Sequence, residues 1–318
     1  MKKLYAIGEA LIDFIPQQTG VGIAEVEAFA PKVGGAPANV CGAYTKLGGP
    51  SSMITQLGAD PFGDKIENEL KGFGIDTSLI KRTEKANTSL AFVALKQDGN
   101  REFSFYRKPG ADMLYDPKDV QKDFFTDGFA LHFCSVSLGD FPMKEAHRKA
   151  IQYAREAGLL ISFDPNLRKN LWPSEEALRQ AVQEFIPVAD VLKVSDEEIA
   201  FITGKETIEE ALPVLFTGEV KLVVYTEGPA GARAYTKNAK ASSPCEKVKA
   251  IDTTGAGDAF IGSFLYSLSA ADVTVGNIAD LTEETMKEML HFSNTYCGKS
   301  VQKEGAIASY PTKADMGL

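Results

Sequence analysis

Short apolar runs alternate along this chain with longer stretches whose apolar positions recur at helical spacing. Leu4–Ile7, Ser52–Gln56, Ala130–Cys134, Leu159–Phe163, Val191–Val194 and Leu222–Tyr225 are predicted as buried strands. Between them, Lys65–Gly72, Met143–Ala157, Ser174–Phe185 and Asp196–Thr203 are predicted as helices. Pro173 followed by Ser174-Glu175-Glu176 is a helix start, and Gly158 a helix stop. Regular alternation of β and α units predicts an α/β fold with three layers, a mostly parallel central sheet covered by helices on both faces. Ligands of such sheets bind beyond the carboxyl ends of the strands.

Two regions break the alternation. Leu90–Leu95 and Arg101–Arg107 flank Asp98-Gly99, a hairpin signal. With those two as the turn, Phe92 pairs with Phe105, Ala94 with Phe103, Leu90 with Arg107, and Val93 with Ser104 on the other face. Leu11–Pro16 and Ile23–Ala30 form a second β-like stretch without an interleaved helix. Together they predict a small β-sheet projecting from the main body. Its apolar face needs a cover: a substrate, a second subunit, or both. Lys237–Lys247 is polar and reads as a surface loop, and no internal repeat or low-complexity linker interrupts the chain.

Composition narrows the class without naming it. The 318 residues are 44% hydrophobic and 24% charged, which suits a globular protein with a sizeable core. A net charge of −9 with no basic run argues against a nucleic-acid partner. Cys41, Cys134, Cys245 and Cys297 lie far apart with no C-x-x-C pair, as expected of free thiols in a reducing, cytoplasmic setting. Glu9 and Asp13 interrupt the apolar start, so a strand rather than a secretion signal is expected there. No apolar run is long enough to predict a membrane span.

The segment Asp252-Thr253-Thr254-Gly255-Ala256-Gly257-Asp258 carries the most chemistry. It is a glycine turn opening a helix, with an acid on either side. The amides of Gly255, Ala256 and Gly257 suit an anion hole at a helix N-terminus. An acid beside an anion hole suits proton handling, which points to phosphoryl transfer onto a hydroxyl with Asp258 as base. A plainly capped helix start, with Thr254 as cap, stays open at this point. A second glycine turn, Gly34-Gly35, leads to Asn39, whose amide can both donate to and accept from sugar hydroxyls, or simply face solvent. Asp13 lies within Leu11–Ile15 and either binds hydroxyls or faces outward by alternation. Arg168 follows the Leu159–Phe163 strand, where it can fork onto a phosphate or be solvated. Other features fail their motifs. Gly298-Lys299-Ser300 lacks the earlier P-loop glycine, Ser293 standing in its place, and Gly255-Ala256-Gly257 lacks the third glycine of a dinucleotide fingerprint. His132, His147 and His291 are too scattered for zinc.

Taken together, Gly34-Gly35 through Asn39 and Asp252–Asp258 resemble the two signatures of the ribokinase-like, phosphofructokinase-B, sugar kinases, and the resemblance covers nearly the whole chain. Gly8–Asp13, Phe105–Leu114, Phe163–Arg168 before Leu171-Trp172-Pro173, and Lys193–Glu198 resemble fructokinases in particular. The resemblance implies one ribokinase-like domain over residues 1–318, with a lid from about 11–33 and 87–113. It implies an ATP-dependent kinase phosphorylating D-fructose at its 6-position, with 2-keto-3-deoxygluconate kinase, ribokinase or a sugar-binding regulatory protein as alternatives. Asp258 would be the base, Gly255, Ala256 and Gly257 the anion hole, and Arg168 a neutraliser of phosphate charge. Asp13, Gly34, Gly35, Asn39, Phe103, Phe105 and Arg107 would bind the sugar. Ser195, Thr226, Gly228 and Asn294 would face the nucleotide, although Ser195 departs from the family's usual Asn-x-x-Glu. Magnesium would arrive with ATP near Glu198, and Asp252, Thr254, Gly305 and Ser309 match a monovalent-cation (K+) site. A homodimer through the lid is the implied assembly, with no membrane or nucleic-acid partner.

Overall fold

A computed structural model describes residues 1–95 and 101–318. In chain order the strands are β1 (Lys3–Ile7), β2 (Leu11–Pro16), β3 (Phe29–Gly34), β4 (Ser51–Gly58), β5 (Ile80–Thr83), β6 (Leu90–Leu95), β7 (Arg101–Tyr106), β8 (Gly128–Cys134), β9 (Leu160–Asp164), β10 (Val191–Ser195), β11 (Leu222–Thr226), β12 (Ala232–Tyr235) and β13 (Lys240–Ser243). The helices are α1 (Ala36–Lys46), α2 (Pro61–Gly72), α3 (Pro142–Glu156), α4 (Glu175–Phe185), α5 (Asp196–Thr203), α6 (Ile208–Leu215), α7 (Ala256–Ala270) and α8 (Glu283–Ser300).

Nine strands form the main sheet in the order β13-β12-β11-β10-β9-β8-β1-β4-β5. All neighbours from β11 to β5 are parallel, and β12 and β13 close one edge antiparallel. The expected α/β three-layer architecture is therefore present. Strand alternation divides the apolar residues between two cores. Leu4, Ala6, Val191 and Val224 join α1, α2, α7 and α8 on one face; Ile7, Leu192, Val194 and Val223 join α3, α4, α5 and α6 on the other. No helix among the described residues is long and apolar enough to cross a membrane.

The projecting sheet exists, with the order β3-β2-β6-β7, but its details differ from expectation. The hairpin pairs Phe92 with Ser104, Ala91 with Phe105 and Val93 with Phe103, one residue away from the predicted register. The predicted turn at Asp98-Gly99 lies outside the described residues. The register follows from the neighbouring strand: Phe14 pairs with Phe92 and the two rings stack 4.5 Å apart, with Phe29 and Tyr106 against the same cluster. A one-residue slip would carry Phe92 to the opposite face. Phe103 and Phe105 consequently lie on the other face, the one that Ala91 shares with Asp13.

Two further expectations are corrected. Ile23–Glu25 is a 3-10 turn, not a strand, and β3 begins only at Phe29, because Leu11–Pro16 pairs with 29–34. The polar stretch 237–247 contains β13, in which Lys240 and Ser242 face out and Ala241 and Ser243 face in. Small inward residues make that alternation nearly invisible to hydropathy.

α1 and α7 cross closely because α7 carries glycine at the contact. A Cβ on Gly262 would lie 2.6 Å from Ala43 Cβ and 2.9 Å from the Val40 carbonyl oxygen. The crossing brings the N-termini of these two helices, and with them the two glycine turns, to one place. Gly262→Val is expected to destabilise the fold by about 1–3 kcal/mol through overpacking. Urea unfolding should show a lower midpoint at unchanged slope.

Candidate active site

Asp258 occupies the first turn of α7 and is 7% exposed. Its Oδ2 accepts a hydrogen bond from Asn39 Nδ2 at 2.8 Å, and its Oδ1 one from Asn166 Nδ2 at 3.2 Å. The two amides come from different parts of the chain, the start of α1 and the exit of β9. Asn166 adopts φ 44°, a left-handed conformation that Asn tolerates better than most residues, so its amide turns back toward α7. With Asn39 Nδ2 committed to the carboxylate, its Oδ1 is buried without a partner among the described residues, which suits it to accept from a ligand hydroxyl.

The glycine turns exist to admit these groups. Gly35 caps α1 at φ 107°, and a Cβ there would lie 2.5 Å from the Glu9 carbonyl oxygen. A Cβ on Gly34 would lie 2.1 Å from Asp13 Oδ2, so the Asp13 carboxylate rests on that glycine. Gly255 caps α7 at φ 72°, with its carbonyl accepting from Tyr310 Oη at 2.8 Å. The Ala256 amide turns back to the Thr253 carbonyl at 3.2 Å, whereas the Gly257 amide opens the helix with that residue exposed. The turn therefore offers N–H groups and a positive helix end beside a buried carboxylate.

Electrostatics mark the same spot. Burial pushes Asp258 above its ordinary range, opposed by the Asn39 bond and by the charges of Arg168 and Lys193. Burial pushes Asp13 up to about 6, with Arg168 lowering it and Asp258 raising it, so the two acids face a shared space. Arg168 itself is exposed, its Nη1 donating to the Leu167 carbonyl at 3.0 Å.

The remaining expected residues fall into place unevenly. Phe105 is half-buried and Phe103 is 38% exposed, the two rings stacked on the Asp13 face of the small sheet. Arg107 lies beyond β7 rather than opposite Leu90, and it is buried in a two-pronged pair with Asp112. Its guanidinium also reaches the Val136 carbonyl at 3.4 Å, so it anchors the end of the hairpin to the main body. Glu198 is buried, with Oε1 accepting from the Leu167 amide and Oε2 from the Ser195 amide, both at 2.9 Å. Thr226 ends β11 half-buried, and Gly228 follows in an exposed turn. Asn294 is buried on α8 and donates to the Ser243 carbonyl at 2.8 Å, tying α8 to β13. Asp252 gathers Thr254, through its amide and hydroxyl, and the Gly305 amide at 2.9 Å. Ser309 stands one short turn further on, its hydroxyl donating to the Ala306 carbonyl.

The sequence by itself gives no role to two residues of the site. Asn166 stands inside the Asp-Pro-Asn turn after β9, and an Asn following Pro at a strand exit was its only signal. Lys193 lies within an apolar strand and is buried against Asp164, at 3.1 and 3.2 Å from its two oxygens. A lysine at a core-facing strand position was its signal.

A buried carboxylate held by two amides, next to a glycine turn at a helix N-terminus and within electrostatic reach of Asp13 on the small sheet, has the make-up of a phosphoryl-transfer site for a hydroxyl-bearing substrate. The chain belongs to the pfkB family of carbohydrate kinases, whose family model matches residues 1–313. It is 43% identical over 313 residues to probable fructokinase-5 of Arabidopsis thaliana, covering 98% of this chain and 95% of that one. Among solved structures it superposes on a fructokinase with bound ATP from Xylella fastidiosa with a TM-score of 0.92 at 33% identity, covering 99% and 96% of the two chains. A fructokinase from Vibrio cholerae O395, in fructose, ADP and calcium ion bound form, gives a TM-score of 0.88 at 34% identity, covering 100% and 98%.

A base that must be ionised loses activity as pH falls through its pKa. Because burial raises Asp258, the acid limb of kcat/KM is expected above pH ~4, the ordinary aspartate value. Asp258→Asn is expected to lower kcat ~100-fold or more, the usual size of a general-base contribution. Steady-state kinetics across pH check both, and near-parental turnover of the variant would reject the assigned base.

Proposed function

We propose that this protein is an ATP-dependent fructokinase, converting ATP and D-fructose to ADP and D-fructose 6-phosphate. The observation that carries the reading is the buried Asp258, gripped by Asn39 and Asn166 beside the open turn of α7. In this reading Asp13, on its Gly34 seat, and the free Oδ1 of Asn39 accept sugar hydroxyls. Phe103 and Phe105 cover the sugar from the small sheet and exclude water that would compete as acceptor. Asp258 takes the proton of the 6-hydroxyl as its oxygen bonds to the γ-phosphorus and the bridging P–O bond to ADP breaks. The turn amides receive the moving phosphoryl group, and Arg168 contributes charge from the solvent side.

The nucleotide side is proposed from Ser195, Thr226, Gly228, Asn294 and the 255–257 turn. Among the described residues no group of three or more His, Cys, Asp or Glu is arranged to hold a metal ion. In this reading magnesium is carried on the phosphates and reached through water by Glu198; when bound, it neutralises phosphate charge. The oxygen donors around Asp252, with Thr254, Gly305 and Ser309, fit a monovalent cation such as K+. Four free thiols accord with a cytoplasmic protein.

The rival substrate is 2-keto-3-deoxygluconate, whose carboxylate requires a cation in the sugar site. The exposed Arg168 favours it; the pairing of Arg107 with Asp112 weighs against it. Purified protein with Mg-ATP is expected to show kcat/KM for fructose exceeding that for 2-keto-3-deoxygluconate by ~100-fold, within the range of hydrogen-bond discrimination. The reverse preference would overturn the fructose assignment.

A homodimer through the small sheets is the assembly we propose, supported by Phe103 at 38% and Tyr106 at 65% exposure on its two faces. Sedimentation equilibrium is expected to give twice the chain mass, and a monomer at micromolar concentration would count against it.

A further inference from the structure

The face of the main sheet that meets α7 carries an unusual polar seam. His132 and Cys134 of β8, Ser162 and Asp164 of β9 and Lys193 of β10 all alternate away from the α3–α6 core. His132 Nδ1 and Ser162 Oγ are 2.9 Å apart, and Lys193 Nζ meets both oxygens of Asp164. The seam ends under the glycine turn. A Cβ placed on Gly257 would lie 3.5 Å from Lys193 Nζ, so the ammonium lies on the side of the turn where that glycine lacks a side chain. Lys193 is 5% exposed, and its ammonium donates a hydrogen bond to Asp164 Oδ1 while lying 3.1 Å from Oδ2. An ammonium has three N–H donors, so part of it remains for the α7 side.

Burying a lysine is costly, and a pair with a single acid does not by itself make the arrangement favourable over an apolar pair. Its position supplies a reason. Charge on the transferring phosphoryl group gathers where the amides of the turn point, and a buried cation beside Gly257 acts in a medium where water screens it little. Arg168 carries the same sign but sits in solvent.

We infer that Lys193 is the fixed cation of the phosphoryl-transfer site, held by Asp164 under the α7 turn so that its charge opposes the negative charge gathering on the γ-phosphoryl group as the new O–P bond forms. Asp164 is the positioning residue, and it also orders the turn bearing Asn166 by accepting the Asn166 amide at 3.2 Å. The inference rests on the kinase reading above.

The test uses the full-length protein and the sugar that it phosphorylates. Lys193→Met is expected to lower kcat ~100-fold while KM for sugar and for ATP stay within about threefold, the pattern of a lost transition-state interaction. Lys193→Arg keeps the charge and should retain more of kcat than Lys193→Met. Because Lys193→Met strands Asp164 and can fail to fold, the Asp164→Asn/Lys193→Met pair removes both charges together. That double variant is expected to keep its thermal midpoint and still lose kcat. Parental turnover in either neutral variant, or a loss confined to KM, would overturn the inference. An inactive parent would instead reject the kinase reading. In that event, calorimetric binding of ADP with aluminium fluoride decides for Lys193: Lys193→Met should weaken it while leaving ADP alone unchanged, and equal binding of the fluoride complex would overturn the role.

Discussion

The hydrogen bonds that Asn39 and Asn166 make to the two oxygens of Asp258 join three parts of the molecule that are distant in sequence. Each bond has a structural requirement behind it. Asn39 reaches the carboxylate only because α1 starts at a glycine with positive φ pressed against the Glu9 carbonyl. Asn166 reaches it only from a left-handed residue at the exit of β9. Asp258 is presented only because α7 packs on α1 through Gly262. A carboxylate so enclosed is raised by burial and lowered by its donors and the nearby cations. That balance suits a group that must be ionised at rest and accept a proton during reaction.

The small sheet depends on the same arrangement. Asp13 lies on β2, and Phe105 and Phe103 lie two strands away on the face that it shares. The stack of Phe14 on Phe92 sets which face that is. Arg107, paired with Asp112 below the end of β7, and Ser89, bonded to the same acid, tether both ends of the hairpin to the main body. The sheet is thus anchored at its base, and Phe103 and Phe105 stack on the face that carries Asp13.

Much of this was legible in the chain. The strand and helix alternation, the mostly parallel sheet, the projecting β segment, both glycine turns and the acid opening α7 follow from local pattern, and the structure bears out the fold they predict. The errors have physical causes. The Asp98-Gly99 dipeptide suggests one hairpin register, whereas cross-strand aromatic stacking with β2 decides another. β13 has little hydropathic signature because its inward residues are small. Arg107 was expected to face a substrate because a lone arginine ending a strand shows nothing of the buried acid five residues later.

Local sequence determined the elements and the chemical types at their ends, since hydrophobic period, glycine conformation and helix-end amides are properties of adjacent residues. Which groups meet was decided by tertiary structure alone. Asn39, Asn166 and Lys193 take their significance from a carboxylate and a helix end that lie far from them along the chain. The direction of a side chain within a strand, and the partner waiting there, depend on register and packing between distant segments, and no local spacing encodes them.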